Sequence, residues 1–131
     1  MNRTIAAPRR RTPFAGLAAS LFAAFAPVHA QAQDAAAGGM AFLQCADCHS
    51  TGDNNGVGPG LKGVAGRRAG TQAGFAYSAA MAKSAITWDA AALDKFLADP
   101  KAAVPGTTMA YPGDEDAKER ANLIAYLQSL K

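Results

Sequence analysis

The chain has 131 residues, a length that allows one ordinary domain. Its 13 Lys and Arg against 10 Asp and Glu give a formal net charge of +3. Four of the basic residues and none of the acidic ones fall within the first 30 positions, so the rest of the chain is nearly neutral. This balance gives no support to a nucleic acid or an anionic membrane as a partner.

Residues 1–30 have the pattern of a secretory signal peptide. Basic residues within the first 11 positions precede a mainly apolar run over 13–28, and small residues follow. We predict cleavage after Ala30 or Ala32, which leaves a single domain over 31–131. Because the apolar run is shorter than the roughly 20 residues that span a bilayer, we expect export to the periplasm and no stable membrane anchor.

The predicted elements of this domain are helices, in chain order over 34–45, 78–84, 89–98 and 114–130. Asp34 is a plausible N-cap of the first helix. The last helix begins with three acidic residues at the positive end of its dipole and carries a broad apolar stripe. No segment shows the alternation of a strand. The sequence therefore predicts an all-α fold of about four to five short helices.

A long loop separates the first two helices. Residues 50–74 contain eight glycines and no sustained periodicity. A loop of this length is uncommon in a small domain unless it carries function. Wrapping of a flat, rigid cofactor would explain it.

The motif Cys45-Ala-Asp-Cys48-His49 closes the first helix. Two thiols at this spacing can add to the two vinyl groups of a haem, while the adjacent imidazole reaches the iron. A thioredoxin-like dithiol would need a surrounding βαβ pattern, which is missing. A structural zinc site would need four ligands, but His29, the other histidine, lies in the signal peptide. The motif thus predicts one covalently attached haem c.

A six-coordinate iron needs a second axial ligand, and methionine is the natural candidate once no second histidine remains. Three methionines follow the predicted signal peptide. Met40 and Met81 lie in predicted helices, where packing in the core is the more ordinary role. Met109 lies in an irregular Pro-Gly-Thr-Thr-Met segment that can present its thioether to a cofactor, so we favour His49 and Met109 as the iron ligands.

The chain resembles the small class I cytochromes c, the group that includes mitochondrial cytochrome c and its bacterial relatives. The resemblance covers 38–130 and includes further motifs in order: Gly-Pro-Gly-Leu at 58–61, Gly-Arg-Arg-Ala-Gly at 66–70, Ile-Thr-Trp at 86–88, Val-Pro-Gly-Thr-Thr-Met at 104–109 and Leu-Ile-Ala-Tyr-Leu at 123–127.

The resemblance implies roles for several residues. His49 would be the proximal and Met109 the distal ligand, and the carbonyl of Pro59 would orient the imidazole. Four side chains would lie at a buried haem propionate: Arg67, Tyr77, Trp88 and Thr107. Gly38 and Phe42 of the first helix would pack against two residues of the last helix, Leu123 and Tyr126.

Two positions depart from the family pattern. Phe96 replaces a usual tyrosine near the methionine sulfur, and Met81 replaces a usual asparagine. Both changes remove polar groups from the haem crevice. They also give Met81 slightly more weight as an alternative to Met109 as the second iron ligand.

The resemblance implies a soluble, monomeric one-electron carrier of a respiratory chain, which exchanges electrons with membrane-bound or soluble redox proteins and transforms no substrate. Docking contacts are expected at Lys62, Lys101, Ala110 and Tyr111. Two alternatives stay open: a haem enzyme or ligand sensor in which Met109 dissociates readily, and a haem subunit of a larger oxidoreductase.

Overall fold

The computed structural model describes Met1 and residues 33–131. Apart from Met1, the predicted signal peptide lies outside the described residues, as do Ala30 and Ala32, after which cleavage is predicted. Five α-helices form in the described part: α1 (Ala35–Ala41), α2 (Ala79–Lys83), α3 (Ala90–Ala98), α4 (Pro100–Ala103) and α5 (Ala117–Ser129). A turn of 3-10 helix over Phe42–Gln44 follows α1 directly. The only β-pairing among these residues is an isolated bridge between Arg68 and Thr87.

Aspartates and a serine begin the helices, as the sequence indicates. The Asp34 carboxylate accepts hydrogen bonds from two backbone N–H groups of α1, and Ser78 and Asp89 each accept one at the start of α2 and α3. Such caps satisfy N–H groups that the first turn of a helix leaves free. The described helices all lack the length and hydrophobicity that crossing a membrane requires.

Two predicted helix limits were wrong. Helix α1 ends at Ala41 and tightens into the 3-10 turn instead of continuing to Cys45. Helix α5 begins at Ala117, three residues later than predicted, because the Asp116 carboxylate caps it and the N–H of Asp114 instead donates to the carbonyl of Leu97. The preceding acidic residues therefore belong to the connecting segment.

Helix α4 was missed by the sequence analysis, although its N-terminal signal is present. The Asp99 carboxylate accepts from two N–H groups of the first turn, and Pro100 occupies the first position of the helix. Proline is favoured there because its missing N–H has no intrahelical partner.

Helices α1 and α5 cross in close contact at Gly38. A Cβ at this position would lie 2.0 Å from the carbonyl oxygen of Asn122, so only glycine permits this approach. The rings of Phe42 and Tyr126 pack beside the crossing with centroids 5.3 Å apart, and Leu123 is buried. This confirms the predicted contact between the first and last helices.

Met40, in contrast, does not belong to the core. Its side chain is 68% exposed, which contradicts the expectation that it packs in the interior. The crossing at Gly38 turns a different face of α1 toward α5, so Met40 projects outward.

The glycine-rich loop is irregular as predicted, and hydrogen bonds hold it in place. The N–H of Gly58 donates to the carbonyl of Cys48 at 2.8 Å, and that of Gly63 donates to the carbonyl of Leu130 at 2.7 Å. The Asn55 side chain accepts from Gly60 and donates to the carbonyl of Ala73. These bonds tie the loop both to the Cys-x-x-Cys-His segment and to the end of α5.

Candidate haem site

A cavity of about 540 Å³ lies at the centre of the domain. Of the twelve buried hydrophobic side chains of the core, nine line it: Phe42, Val64, Met81, Trp88, Leu93, Phe96, Leu97, Leu123 and Leu127. The volume lies within the range of cofactor pockets, and an apolar lining with few polar groups is typical of them. The core of this domain is therefore built around the cavity.

All nine site residues predicted from the sequence line this one cavity. They come from four separate stretches of chain, and the fold brings them together. The stretches contribute, in chain order, Cys45, Cys48 and His49; Pro59 and Arg67; Tyr77 and Trp88; and Thr107 and Met109.

One turn of backbone places Cys45, Cys48 and His49. The N–H groups of Cys48 and His49 both donate to the carbonyl of Cys45, at 3.1 and 2.9 Å, so both sulfurs and the imidazole reach the cavity from a single turn. The cysteines are not bridged to each other. Burial raises the pKa of the Cys45 thiol, and the neighbouring Cys48 adds to the shift.

The ring of His49 is fixed from two sides. Its Nδ1 lies 2.8 Å from the carbonyl oxygen of Pro59, which accepts the proton of that nitrogen and leaves the lone pair of Nε2 for a metal. Gly58 is buried against the ring, and a Cβ there would lie 2.4 Å from the His49 Cε1 atom. Gly58 and Pro59 thus form a cradle for the His49 ring, and only glycine at position 58 leaves room for that ring.

Met109 enters the cavity from the irregular segment between α4 and α5. Its backbone N–H donates to the Thr107 hydroxyl at 3.3 Å, and the Thr107 N–H donates to the carbonyl of Val104 at 2.9 Å. Gly106 adopts a φ of +93°, which side-chain-bearing residues rarely take. Thr107 therefore supports the turn that presents the half-buried thioether.

Three polar or aromatic side chains line another part of the cavity. The Tyr77 hydroxyl accepts a hydrogen bond from the N–H of Gln72, which leaves its own proton to donate. The indole of Trp88 is buried against Phe96, with ring centroids 4.9 Å apart. Arg67 donates to the carbonyls of Gly60 and Lys62 and to the side chain of Gln72, so most of its donors hold the loop itself.

The two departures from the family pattern also face the cavity. Met81 and Phe96 are both buried and both line it. Two apolar side chains therefore face the cavity at the positions where the resemblance leads us to expect polar groups.

Tyr111 is a cavity residue that the sequence analysis assigned only to the surface. Its hydroxyl is buried and has no hydrogen-bond partner among the described residues. Burial raises the pKa of this phenol, and the carboxylate of Asp114 adds to the shift. The signal available in the sequence was its position two residues after Met109. Lys62, Lys101 and Ala110 are exposed, as a docking contact requires.

The rival interpretations of the motif find no support. In the described residues no three His, Cys, Asp or Glu side chains lie together as a metal cluster would require, which argues against structural zinc. The same residues contain no strand beyond the isolated bridge, so the βαβ surroundings of a thioredoxin-like dithiol are missing.

The donor set fits a covalently attached haem. Two thiols, an imidazole oriented through Nδ1 and a thioether converge on one apolar cavity, and the Gly58 cradle keeps the imidazole free of clashes. Bound there, a haem supplies an iron that alternates between Fe(II) and Fe(III).

These features define a c-type haem protein with an all-α fold, and the chain belongs to the cytochrome c family, whose model matches residues 35–131. It is similar to a cytochrome c2 of Rhodoplanes tepidamans, with 47% identity over 97 residues that cover 72% of this chain and 91% of the relative. A cytochrome c2 iso-2 of Magnetospirillum fulvum is 52% identical over 91 residues, which cover 69% and 95%.

The fold agrees with a solved relative. Cytochrome cH from Methylobacterium extorquens superposes with a TM-score of 0.71 at 52% identity, covering 73% of this chain and 98% of that one. The protein is accordingly a class I cytochrome c that carries one covalently attached haem c and transfers single electrons between redox partners.

Proposed function

We propose that this protein shuttles electrons through a haem whose iron is held by His49 and Met109. The observation that carries the proposal is the shared cavity, which receives an imidazole with a free Nε2 lone pair and a thioether from a different segment. A thioether favours the reduced metal and so raises the reduction potential. Cys45 and Cys48 provide the two covalent attachments.

Met109 is preferred to the other methionines on structural grounds. Met40 does not line the cavity and projects into solvent. Met81 lines the cavity but is buried in the short helix α2, where it packs with the core. Met109 is half-buried in an irregular turn, where its side chain can reach the iron without distorting a helix.

The ligand assignment is tested by isosteric substitution in the purified holoprotein. Met109→Leu should abolish the weak long-wavelength band of ferric iron–thioether ligation and lower the reduction potential. Met81→Leu and Met40→Leu are matched controls that should retain the band. Retention of the band in Met109→Leu, with its loss in Met81→Leu, would assign the ligand to α2 instead.

An iron with a protein ligand on each face supports electron transfer without catalysis, because no coordination position is left for a substrate such as peroxide. We therefore propose that the wild-type protein transforms no substrate. Peroxidase activity should be negligible in the wild type and should rise in Met109→Leu. Comparable activity in both proteins would contradict this.

We propose further that residues 1–30 direct export, that cleavage follows Ala30 or Ala32, and that the haem domain acts as a soluble monomer in the periplasm. Intact mass of protein from the periplasmic fraction tests cleavage and haem count together. Size-exclusion chromatography of the same sample tests the oligomeric state. An unprocessed chain in the membrane fraction would refute export with cleavage.

A further inference from the structure

Gln72 connects two polar residues of the cavity without lining the cavity itself. Its side-chain oxygen accepts a hydrogen bond from Nη1 of Arg67, and its backbone N–H donates to the Tyr77 hydroxyl at 3.2 Å. Its Nε2 donates to the carbonyl of Asp53 at 3.1 Å. Arg67 and Tyr77 line the cavity, whereas Gln72 does not. A single residue outside the cavity lining therefore contacts both.

The hydrogen-bond partners of Arg67 are all uncharged. Besides the Gln72 oxygen, its guanidinium reaches the carbonyls of Lys62 and Gly60, both at 3.0 Å. Neither of the two ion pairs among residues 33–131 includes Arg67. The half-buried guanidinium thus keeps its full positive charge beside a mainly apolar cavity. Because charges interact more strongly where water is excluded, this charge favours the less positive Fe(II) state of an iron held there.

Arg67 still has donors available for a group bound in the cavity. A guanidinium has five N–H donors, and three of them are used by the carbonyls of Lys62 and Gly60 and by Gln72. The Nε–H and one Nη2–H have no acceptor among the described residues. The Tyr77 hydroxyl accepts from Gln72 and keeps its own proton to donate. Gln72 thus fixes both groups and leaves each able to donate to an anionic group of a cofactor.

Two side-chain amides hold this arrangement in place. The amide of Gln72 donates to the carbonyl of Asp53. In the opposite direction, the amide of Asn55 donates to the carbonyl of Ala73 at 2.9 Å. Because Nε2 of Gln72 is engaged with a carbonyl, the amide cannot turn over without losing its bonds to both Asp53 and Arg67. The acceptor for Arg67 is therefore preorganised by the protein.

We propose that Gln72 is a positioning residue that tunes the reduction potential of the haem. Its neutral carboxamide holds the Arg67 guanidinium at the cavity and leaves the charge unpaired. A carboxylate in the same place would hold the guanidinium as well, but it would neutralise the charge. The proposal rests on the electron-carrier function above and adds a residue that sets the potential through Arg67.

The substitution Gln72→Glu tests the importance of a neutral acceptor, since it keeps the side-chain length and an oxygen for Arg67. It should lower the reduction potential of the holoprotein in a redox titration. Ala73→Glu is the matched control, because Ala73 is exposed and its carbonyl still accepts from Asn55. The shift in Gln72→Glu should be at least about twice the shift in Ala73→Glu, whose exposed charge is screened by solvent. Equal shifts would show only a general effect of added charge and would overturn the proposal.

The substitution Gln72→Met tests the hydrogen bonds, since methionine has nearly the same length and lacks the amide. With the guanidinium no longer held, we expect the potential to fall. In an Arg67→Ala background the same substitution should shift the potential by less than about half as much, because the charge that Gln72 positions is gone. Equal shifts in the two backgrounds would show that Gln72 does not act through Arg67. If the Arg67→Ala background gives no folded holoprotein, the comparison of the two glutamate variants decides.

The optical spectrum distinguishes a failure of this proposal from a failure of the proposed function. All these variants retain His49 and Met109, so the weak long-wavelength band of iron–thioether ligation should persist in each. Absence of the band from the wild type would refute the ligand assignment. A normal band together with equal shifts would refute only the role of Gln72.

Discussion

Gly58 is the residue that most closely restricts the ring of His49, the proposed haem ligand. The buried glycine lies against the His49 ring, which is held by the carbonyl of Pro59. The sequence predicted the role of Pro59 through a family motif. The reason for glycine at position 58 is steric. It depends on the position of the His49 ring beside it, which the sequence does not show.

Replacing this glycine should displace the imidazole. In Gly58→Ala the new methyl group would meet the ring at 2.4 Å, so either the ring or the loop must move. We expect a loss of about 1–3 kcal/mol in the unfolding free energy of the holoprotein, the usual range for overpacking, together with a shifted reduction potential. Denaturant titration and redox titration measure the two effects.

Gly52→Ala is the control for that substitution. A Cβ at Gly52 has no atom within 4 Å, so its effect should stay within about 0.5 kcal/mol. Equal effects of the two alanines would contradict the proposed cradle.

Tyr111 provides a second test at the level of one side chain. Its buried hydroxyl has no partner among the described residues, and such a group costs about 1–3 kcal/mol. Tyr111→Phe should therefore raise the unfolding free energy by about 1 kcal/mol. Tyr77→Phe, which removes an acceptor for the Gln72 N–H, should lower it by a similar amount. Denaturant unfolding of both holoproteins gives the comparison, and a destabilised Tyr111→Phe would indicate a partner for that hydroxyl.

At the level of elements, the contact between α1 and α5 holds the two ends of the domain together. Local signals in the sequence were sufficient for the Asp34 cap of α1, since a carboxylate binds N–H groups only two or three residues away, but the caps of α4 and α5 were not recognised. Such signals were not sufficient for the exposure of Met40. Apolar residues of a short helix do not by themselves show which face meets the neighbouring helix, and the crossing at Gly38 decides it.

The two adjacent glycines of α1 offer a matched pair of substitutions. Gly38→Ala places a methyl group 2.0 Å from the Asn122 carbonyl oxygen, a backbone atom of α5, so the helices must separate. We expect the unfolding free energy of the holoprotein to fall by about 3 kcal/mol, the upper end of the usual cost of overpacking. In Gly39→Ala the nearest atom belongs to the Tyr126 side chain at 3.4 Å, and alanine favours a helix by about 1 kcal/mol over glycine.

Thermal unfolding of the two holoproteins measures the difference. Gly39→Ala should be as stable as the wild type or slightly more so. Similar losses in both variants would mean that α1 itself, and not its crossing with α5, limits stability.

At the level of the whole molecule, the core is built around the cavity. Nine of the twelve buried hydrophobic side chains line it, so the helices pack largely around this space, which would hold the haem, and only partly on one another. A domain of this size has little other apolar surface to bury. The stability of the fold should thus depend on haem attachment.

The double substitution Cys45→Ala and Cys48→Ala, with the protein prepared free of haem, tests this dependence. We expect weak helical circular dichroism and no cooperative thermal transition, whereas the holoprotein should unfold in one sharp step. A sharp transition in the haem-free variant would show that the polypeptide packs a core without the cofactor.

The sequence by itself determined the all-α class and the haem-attachment motif, and it was enough to propose Met109 among the methionines, because each depends on local spacing or on the chemistry of single residue types. The tertiary structure decided what depends on contacts between distant segments. Those contacts join the loop carrying Pro59 to His49, turn Met40 outward and bury the hydroxyl of Tyr111. They also gather the Cys-x-x-Cys-His turn and the Met109 segment around one cavity, a convergence that no local pattern encodes.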